Sequence, residues 1–191
     1  LTRCGGRLSL RNCAGGIRVG GMNEPRLPLR NILILDTETT GLEDSDACIE
    51  VAVALYSVPH AAVIRSFSSL IGHGANAAEH VNHIPAALLL NAPDAPGVWS
   101  DVDFLASRCD ATIAHSADFA RRFVPAYVAD RAPWICSCHD LDWPAATKPG
   151  QSLIALALAH GLGVSHAHRA AVDVDLLGRL LTRIAETGTD L

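Results

Sequence analysis

Asp36 and Glu38 stand one residue apart where the apolar run 32–35, "ILIL", ends. If that run is a buried strand, side chains two positions apart share a face, so both carboxylates project together and Thr37 points the other way. Two like charges this close drive one carboxyl toward its protonated form unless a cation lies between them. A donor set made only of oxygens suits Mg²⁺ or Mn²⁺ better than zinc. Spacing alone also allows a plainer arrangement, in which Asp36 opens a loop and Glu38 is solvated. A second pair lies near the other end of the chain: His168 and, five residues on, Asp173, in "AHRAAVD". On a helix beginning near residue 169, Asp173 lies one turn in, on a stripe otherwise made by Leu176, Leu177 and Leu180. A polar side chain there needs a partner. His168, just outside the helix, carries an imidazole able to take a proton from water near neutrality.

The elements that must position these residues are legible in the apolar pattern. Residues 31–36 read as a strand buried on both faces. The stretch "TTGLEDSD" follows as a loop, then 47–58 as a second strand, with Pro59 and His60 marking a tight connection to a third over 61–71. Short links between them predict an antiparallel meander. Residues 72–85 read as a loop and 86–93 as a short helix with Pro85 near its start. Over 98–108, Val98, Val102, Leu105 and Ala106 share one helical face. Short strands at 111–115 and 133–137 flank a helix over 117–129 that Pro125 disturbs. An apolar helix over 152–162 has Ser152 as cap and Gly161 as stop, and 169–187 is a long amphipathic helix. Together these predict an α/β domain, a central mixed five-stranded sheet flanked by helices. Residues 143–151, with Pro144, Pro149 and Gly150, read as a loop rather than a boundary, so 22–191 is expected to be a single domain.

Composition sets the outer limits. Of 191 residues, 49% are hydrophobic and 18% charged, a globular balance rather than a disordered one. No stretch approaches the roughly 20 apolar residues that cross a bilayer. Arg3, Arg7, Arg11 and Arg18 fall in an acid-free segment, 1–21, and outside it eleven basic residues face twenty acidic ones. That argues against a broad basic surface for duplex nucleic acid, but not against a nucleic-acid enzyme with bound divalent cations. Segment 1–21 is rich in Gly and Arg without strand or helix period, and Met22 is the only methionine. The expectation is that translation begins at Met22 and that 1–21 is a disordered or non-native extension; an organelle transit peptide is the alternative. Six scattered cysteines in a chain of this length predict a reducing, cytoplasmic setting, with Cys48, Cys109 and Cys136 as small buried apolar residues. The "CSCH" of residues 136–139 lacks a second ligand pair for zinc and reads as one strand-end thiol beside two surface residues. An aspartyl-phosphate phosphatase would want a second Asp where Glu38 stands and a balancing lysine, yet Lys148, the only lysine, lies in a Pro-rich loop. His73, His80, His83, His160 and His166 read as loop or surface residues, and Trp99, Trp134 and Trp143 as packing.

In order and spacing, "ILDTETTGL", "IAHSADFARRF" and "AHRAAVD" resemble the three motifs of the DEDD-type 3′–5′ exonucleases, in the variant with histidine in the third motif (DEDDh). That family includes the proofreading epsilon subunit of bacterial DNA polymerase III, RNase T and oligoribonuclease. The resemblance covers residues 30–186 and implies a ribonuclease H-like fold. It implies that Asp36, Glu38 and Asp173 hold two Mg²⁺ or Mn²⁺ ions, and that His168 is the general base for the attacking water. The expected reaction is removal of 5′-nucleoside monophosphates from the 3′ end of single-stranded DNA or RNA, DNA more than RNA. Thr39, Thr40, Leu42, Ile84 and His115 would contact the terminal nucleotides, and the family's habits allow a polymerase partner or a homodimer. Arg169 would be nearer phosphate than Arg121 or Arg122, whose place is a solvated helix face. The second motif departs from the pattern: Ala120 stands where the family has Asp, Ser116 where it has Asn, and Asp118 comes two residues early. Two residues are about 200° of a helix, so Asp118 could complete the metal site only if the segment were still a turn there. Either Asp118 or a water completes the site and the enzyme works, or the chain is a weakened, exonuclease-like binding module.

Overall fold

The computed structural model describes residues 29–145, 150–164 and 168–187. The N-terminal segment 1–21, Met22, Lys148 and His166 lie outside the described residues. The strands are β1 (Asn31–Thr39), β2 (Cys48–Ser57), β3 (Ala62–Leu70), β4 (Ala111–Ala114) and β5 (Trp134–Cys136). They form one sheet in the order β3-β2-β1-β4-β5. β1 pairs antiparallel with β2, and β2 with β3, as the short links require; β1 with β4, and β4 with β5, are parallel. The sheet is therefore mixed, and the two parallel pairs are reached by helical crossovers.

Helices cover both faces. On one side lie α6 (Leu153–Ala159) and α7 (Ala170–Thr187). Ile32 and Ile34 of β1 pack there with Val174, Leu177 and Leu180. On the other side lie α3 (Ala95–Ala106), α4 (Ala117–Phe123) and α5 (Ala126–Ala129). Leu33 and Leu35 pack there with Val98, Val102, Leu105 and Ala120. Coverage on both faces is why β1 is apolar without alternation. The two remaining helices, α1 (Glu79–Asn82) and α2 (Ala86–Leu89), are single turns; the first sits inside the stretch expected to be loop.

Two features of this frame make room for chemistry. β1 runs three residues further than its apolar pattern implies, to Thr39, so Asp36 and Glu38 lie within the strand and not at its exposed end. β2 accompanies it the whole way, but β4 pairs only with Ile32, Leu33 and Ile34. From Leu35 onward one edge of β1 is left open. The helical stops behave as expected: α4 ends before Pro125, α6 is capped by Ser152, whose Oγ accepts the Ala155 N–H at 3.4 Å, and Gly161 ends it at φ +73.

α7 lies close on the sheet because residue 178 has no side chain. A Cβ at Gly178 would stand 3.1 Å from Val63 Cγ2 and 3.4 Å from Ile34 Cδ1. Gly178→Leu is expected to lift α7 off β1 and lower stability by about 1–3 kcal/mol, read from urea or thermal unfolding.

Candidate active site

Along β1 the row Ile32, Ile34, Asp36, Glu38 faces α7. The two isoleucines meet the leucine stripe of the helix. Where that stripe runs out, the first turn of α7 brings Asp173 against the two β1 acids. Carboxylate oxygens of Asp36, Glu38 and Asp173 all lie within 4.8 Å of one another. All three side chains are half-buried.

This crowding is electrostatically unfavourable without a cation. Burial, then Asp173 and Glu38, hold the Asp36 carboxyl well above the ordinary carboxylate range. Burial, followed by Asp173 and Glu50, pushes Glu38 up to about 7. Asp173 is raised by burial too, although the charge of His168 and its backbone N–H pull the other way. A divalent cation would replace shared protons with a shared positive charge, and an all-oxygen donor set suits Mg²⁺ or Mn²⁺. The residues present therefore fit such an ion.

His168 is exposed at the rim and enters α7 through a left-handed backbone, φ +61. That conformation is uncommon away from glycine, and it directs the His168 N–H to Asp173. One residue on, Arg169 turns inward. Its Nε and Nη2 reach the two oxygens of Glu50 at 3.1 and 2.7 Å, and Glu50 Oε2 also accepts the Ala170 N–H at 3.1 Å. Glu50, 4% exposed, sits opposite Glu38 in the β1–β2 register. Sequence reasoning missed it. The available signal was a lone acid inside the apolar strand "CIEVAVALYS". Arg169, expected near phosphate, is instead the partner of this buried carboxylate, and together they pin the start of α7 and with it His168 and Asp173.

The other residues expected to contact nucleotide are placed less uniformly. Thr39 donates its hydroxyl to the Gly41 carbonyl at 2.5 Å; Thr40 donates to Asp46 Oδ1 at 2.9 Å and accepts the Ala47 N–H at 3.0 Å. Both shape the turn after β1. Leu42 is 73% exposed on that turn, which Arg122 braces by donating to the Leu42 carbonyl and pairing with Asp44. Arg121 pairs with Asp130. Ile84, expected to meet a base, is 1% exposed and packs with Ile49 and Leu89. Its turn is tied to the strand end by buried Asn82, whose Nδ2 donates to the Thr39 carbonyl at 3.1 Å. His115 is engaged at both nitrogens, with Ser137 Oγ and the Gln151 carbonyl, each at 2.9 Å, and burial lowers its pKa. It braces the loop after β5. Asp118 lies on the first turn of α4, which has begun at Ala117, and is exposed outside the carboxylate cluster. Ala120 is buried with Leu33 and Leu35, against the face of β1 opposite Asp36 and Glu38.

The sheet order and the helical layers on its two faces define a ribonuclease H-like α/β fold, with the acidic cluster on the last part of β1. Solved structures share this fold. A 3′-exonuclease described in 3′-end-specific recognition of a histone mRNA stem-loop aligns over 85% of this chain and 66% of its own, with 15% identity and a TM-score of 0.66. The cell-death related nuclease 4, CRN-4, aligns over 84% and 65%, with 18% identity and a TM-score of 0.62. The zinc-bound E. coli ExoI–ssDNA complex aligns over 82% of this chain and 41% of its own, with 14% identity and a TM-score of 0.67. This chain thus spans less than two thirds of the length of each of these nucleases. No protein-family model and no curated protein matches it in sequence.

Two outcomes test this electrostatic arrangement. Folded Glu38 protonates near 7 against an ordinary value of 4.5, so the folded state holds more protons than the unfolded state between those values. Stability gained from the protonated acids is complete below about 4.5 and is lost as pH rises through 7. The metal-free melting temperature is expected to fall from pH 5 to pH 7.5, and millimolar Mg²⁺ or Mn²⁺ to reverse the trend. Arg169→Ala strands the Glu50 carboxylate. Unfolding by urea is expected to show a loss of about 2 kcal/mol, below the usual buried-pair range because Arg169 is partly exposed. Adding Glu50→Gln should recover part of it.

Proposed function

We propose that this protein is a metal-dependent 3′–5′ exonuclease, removing 5′-nucleoside monophosphates from the 3′ end of single-stranded nucleic acid, DNA ahead of RNA. The observation that carries the reading is the convergence of Asp36, Glu38 and Asp173, from the two ends of the described chain, beside His168. When bound, two Mg²⁺ or Mn²⁺ ions would stabilise the entering and leaving oxygens of an in-line displacement at phosphorus. Asp36, Glu38 and Asp173 would hold them. The His168 imidazole, exposed at the rim, would take the proton from the attacking water. Leu42, standing out from the braced turn after β1, offers an apolar surface to the terminal base, a contact indifferent to sequence. The order of substrates draws on the E. coli ExoI structures, which include complexes with dA16 and dT13 oligonucleotides.

A second reading rests on the second motif. With Ala120 buried on the opposite face of β1 and Asp118 outside the cluster, one ion has fewer ligands than the resemblance implies. The chain would then bind single strands and cleave them poorly. Release of mononucleotides from a 3′-labelled single strand, DNA and RNA in parallel, separates the two. Asp36→Ala is expected to reduce release by roughly a hundredfold or more, since several kcal/mol of charge stabilisation are removed. Asp118→Ala should stay within about threefold of the unaltered protein, as for an exposed site with no role. If the unaltered protein releases no more than Asp36→Ala with either metal, the nuclease reading is overturned and the binding module stands.

A further inference from the structure

A second set of metal donors lies away from the carboxylates, in the turn that follows β5. We propose that Cys136, Cys138 and His139 form a thiophilic metal site that takes Zn²⁺. Read as sequence, "CSCH" is one strand-end thiol and two surface residues; folded, it is a convergent trio. Ligand atoms of all three residues lie within 4.8 Å of one another. The two sulfurs are half-buried and 3.3 Å apart. In a tetrahedral zinc site with Zn–S near 2.3 Å the sulfurs stand about 3.8 Å apart, so the pair needs to open by only about half an ångström.

The backbone holds this trio in place before any ion arrives. Asp140 Oδ2 accepts the Cys136 N–H at 2.7 Å, while the Cys136 carbonyl accepts the N–H of Asp140 at 2.7 Å and of His139 at 3.2 Å. Ser137, fully buried between the cysteines, donates its N–H to the Ala114 carbonyl, bonds His115 through its hydroxyl, and accepts the Trp143 indole N–H at its carbonyl. With Ser137 locked inward, its two cysteine neighbours are directed together. The imidazole has room because residue 150 is glycine: Gly150 N–H donates to the Cys138 carbonyl at 3.0 Å, and a Cβ there would stand 3.2 Å from His139 Cε1. His139 is exposed, which leaves the fourth position to water. A disulfide would use the two sulfurs but gives no place to the histidine. Two thiolates and an imidazole select a borderline-soft ion, whereas Mg²⁺ and Mn²⁺ prefer the carboxylates. On binding, both thiols lose their protons to solvent, and no oxidation is involved.

Cobalt substitution in the full chain, stripped by chelator and kept reduced, distinguishes the two metal sites, because only thiolates give a ligand-to-cobalt charge-transfer band. One equivalent of Co²⁺ is expected to produce that band, and Zn²⁺ to displace it. The band should persist in Asp36→Ala, vanish in Cys138→Ser, weaken at least tenfold in affinity in His139→Ala, and return in His139→Cys. The positions altered are exposed or half-buried, and circular dichroism confirms the fold of each variant. No band, a band untouched by Cys138→Ser, or a Cys136–Cys138 disulfide formed in its place would overturn the site. None of these readouts depends on nuclease activity.

Discussion

Mutual repulsion among Asp36, Glu38 and Asp173 is the constraint around which the rest is arranged. Three carboxylates within 4.8 Å, all half-buried, are tolerable only if protons or cations stand between them. Nothing in packing favours such a cluster. The fold must supply enough stability elsewhere to hold it together, and it does so with two apolar layers. One lies between the sheet and α7, the other between the sheet and α3, α4 and α5. β1 belongs to both layers. Its apolar residues anchor it on each face, and its last five residues, 35–39, are carried past the end of the β4 pairing into an open edge.

The buried pair Glu50–Arg169 connects this stability to the chemistry. It adds a fourth acid to an acidic corner, which raises the cost of keeping Asp36 and Glu38 charged. Its compensation is geometric. Glu50 accepts a backbone N–H at the start of α7 while gripping Arg169 with both oxygens, so the helix cannot slide along β1. His168 precedes that anchor by one residue, and Asp173 follows it by one turn. A side chain near the start of β2 thereby sets the position of a helix start 120 residues further along the chain. Such a pair adds little net stability, but breaking it leaves a buried charge, which gives it specificity.

Around the cluster, polar side chains serve mainly to shape backbone. Thr39 and Thr40 fold the turn after β1, Asn82 ties the 76–84 segment to the Thr39 carbonyl, and His115 with Ser137 braces the loop after β5. The same Ser137 that anchors His115 directs Cys136 and Cys138 toward each other. The second motif thus reads as structural scaffolding in this chain, and the acid-bearing end of β1 as the place where charge is concentrated.

The sequence by itself determined the elements and their class. Continuous apolar runs located the five described strands, and the 3.6-residue period the long α7, while Pro125 marked its own disturbance, because burial of apolar faces is a local demand written residue by residue. It also marked Asp36, Glu38, His168 and Asp173, whose residue types make no sense as packing. Tertiary structure alone decided what those patterns could not carry. β1 extends through its acids because β2 pairs with it to Thr39. Ile84 and His115 turned inward, since a neighbouring layer and a serine hydroxyl claimed them. Asp118 stayed outside because α4 begins one residue before it. Glu50, Arg169 and the "CSCH" trio acquired partners only when distant or tightly turned backbone brought them within a few ångströms. Hydrogen bonds and ion pairs act over such distances, and separation along the chain does not record them.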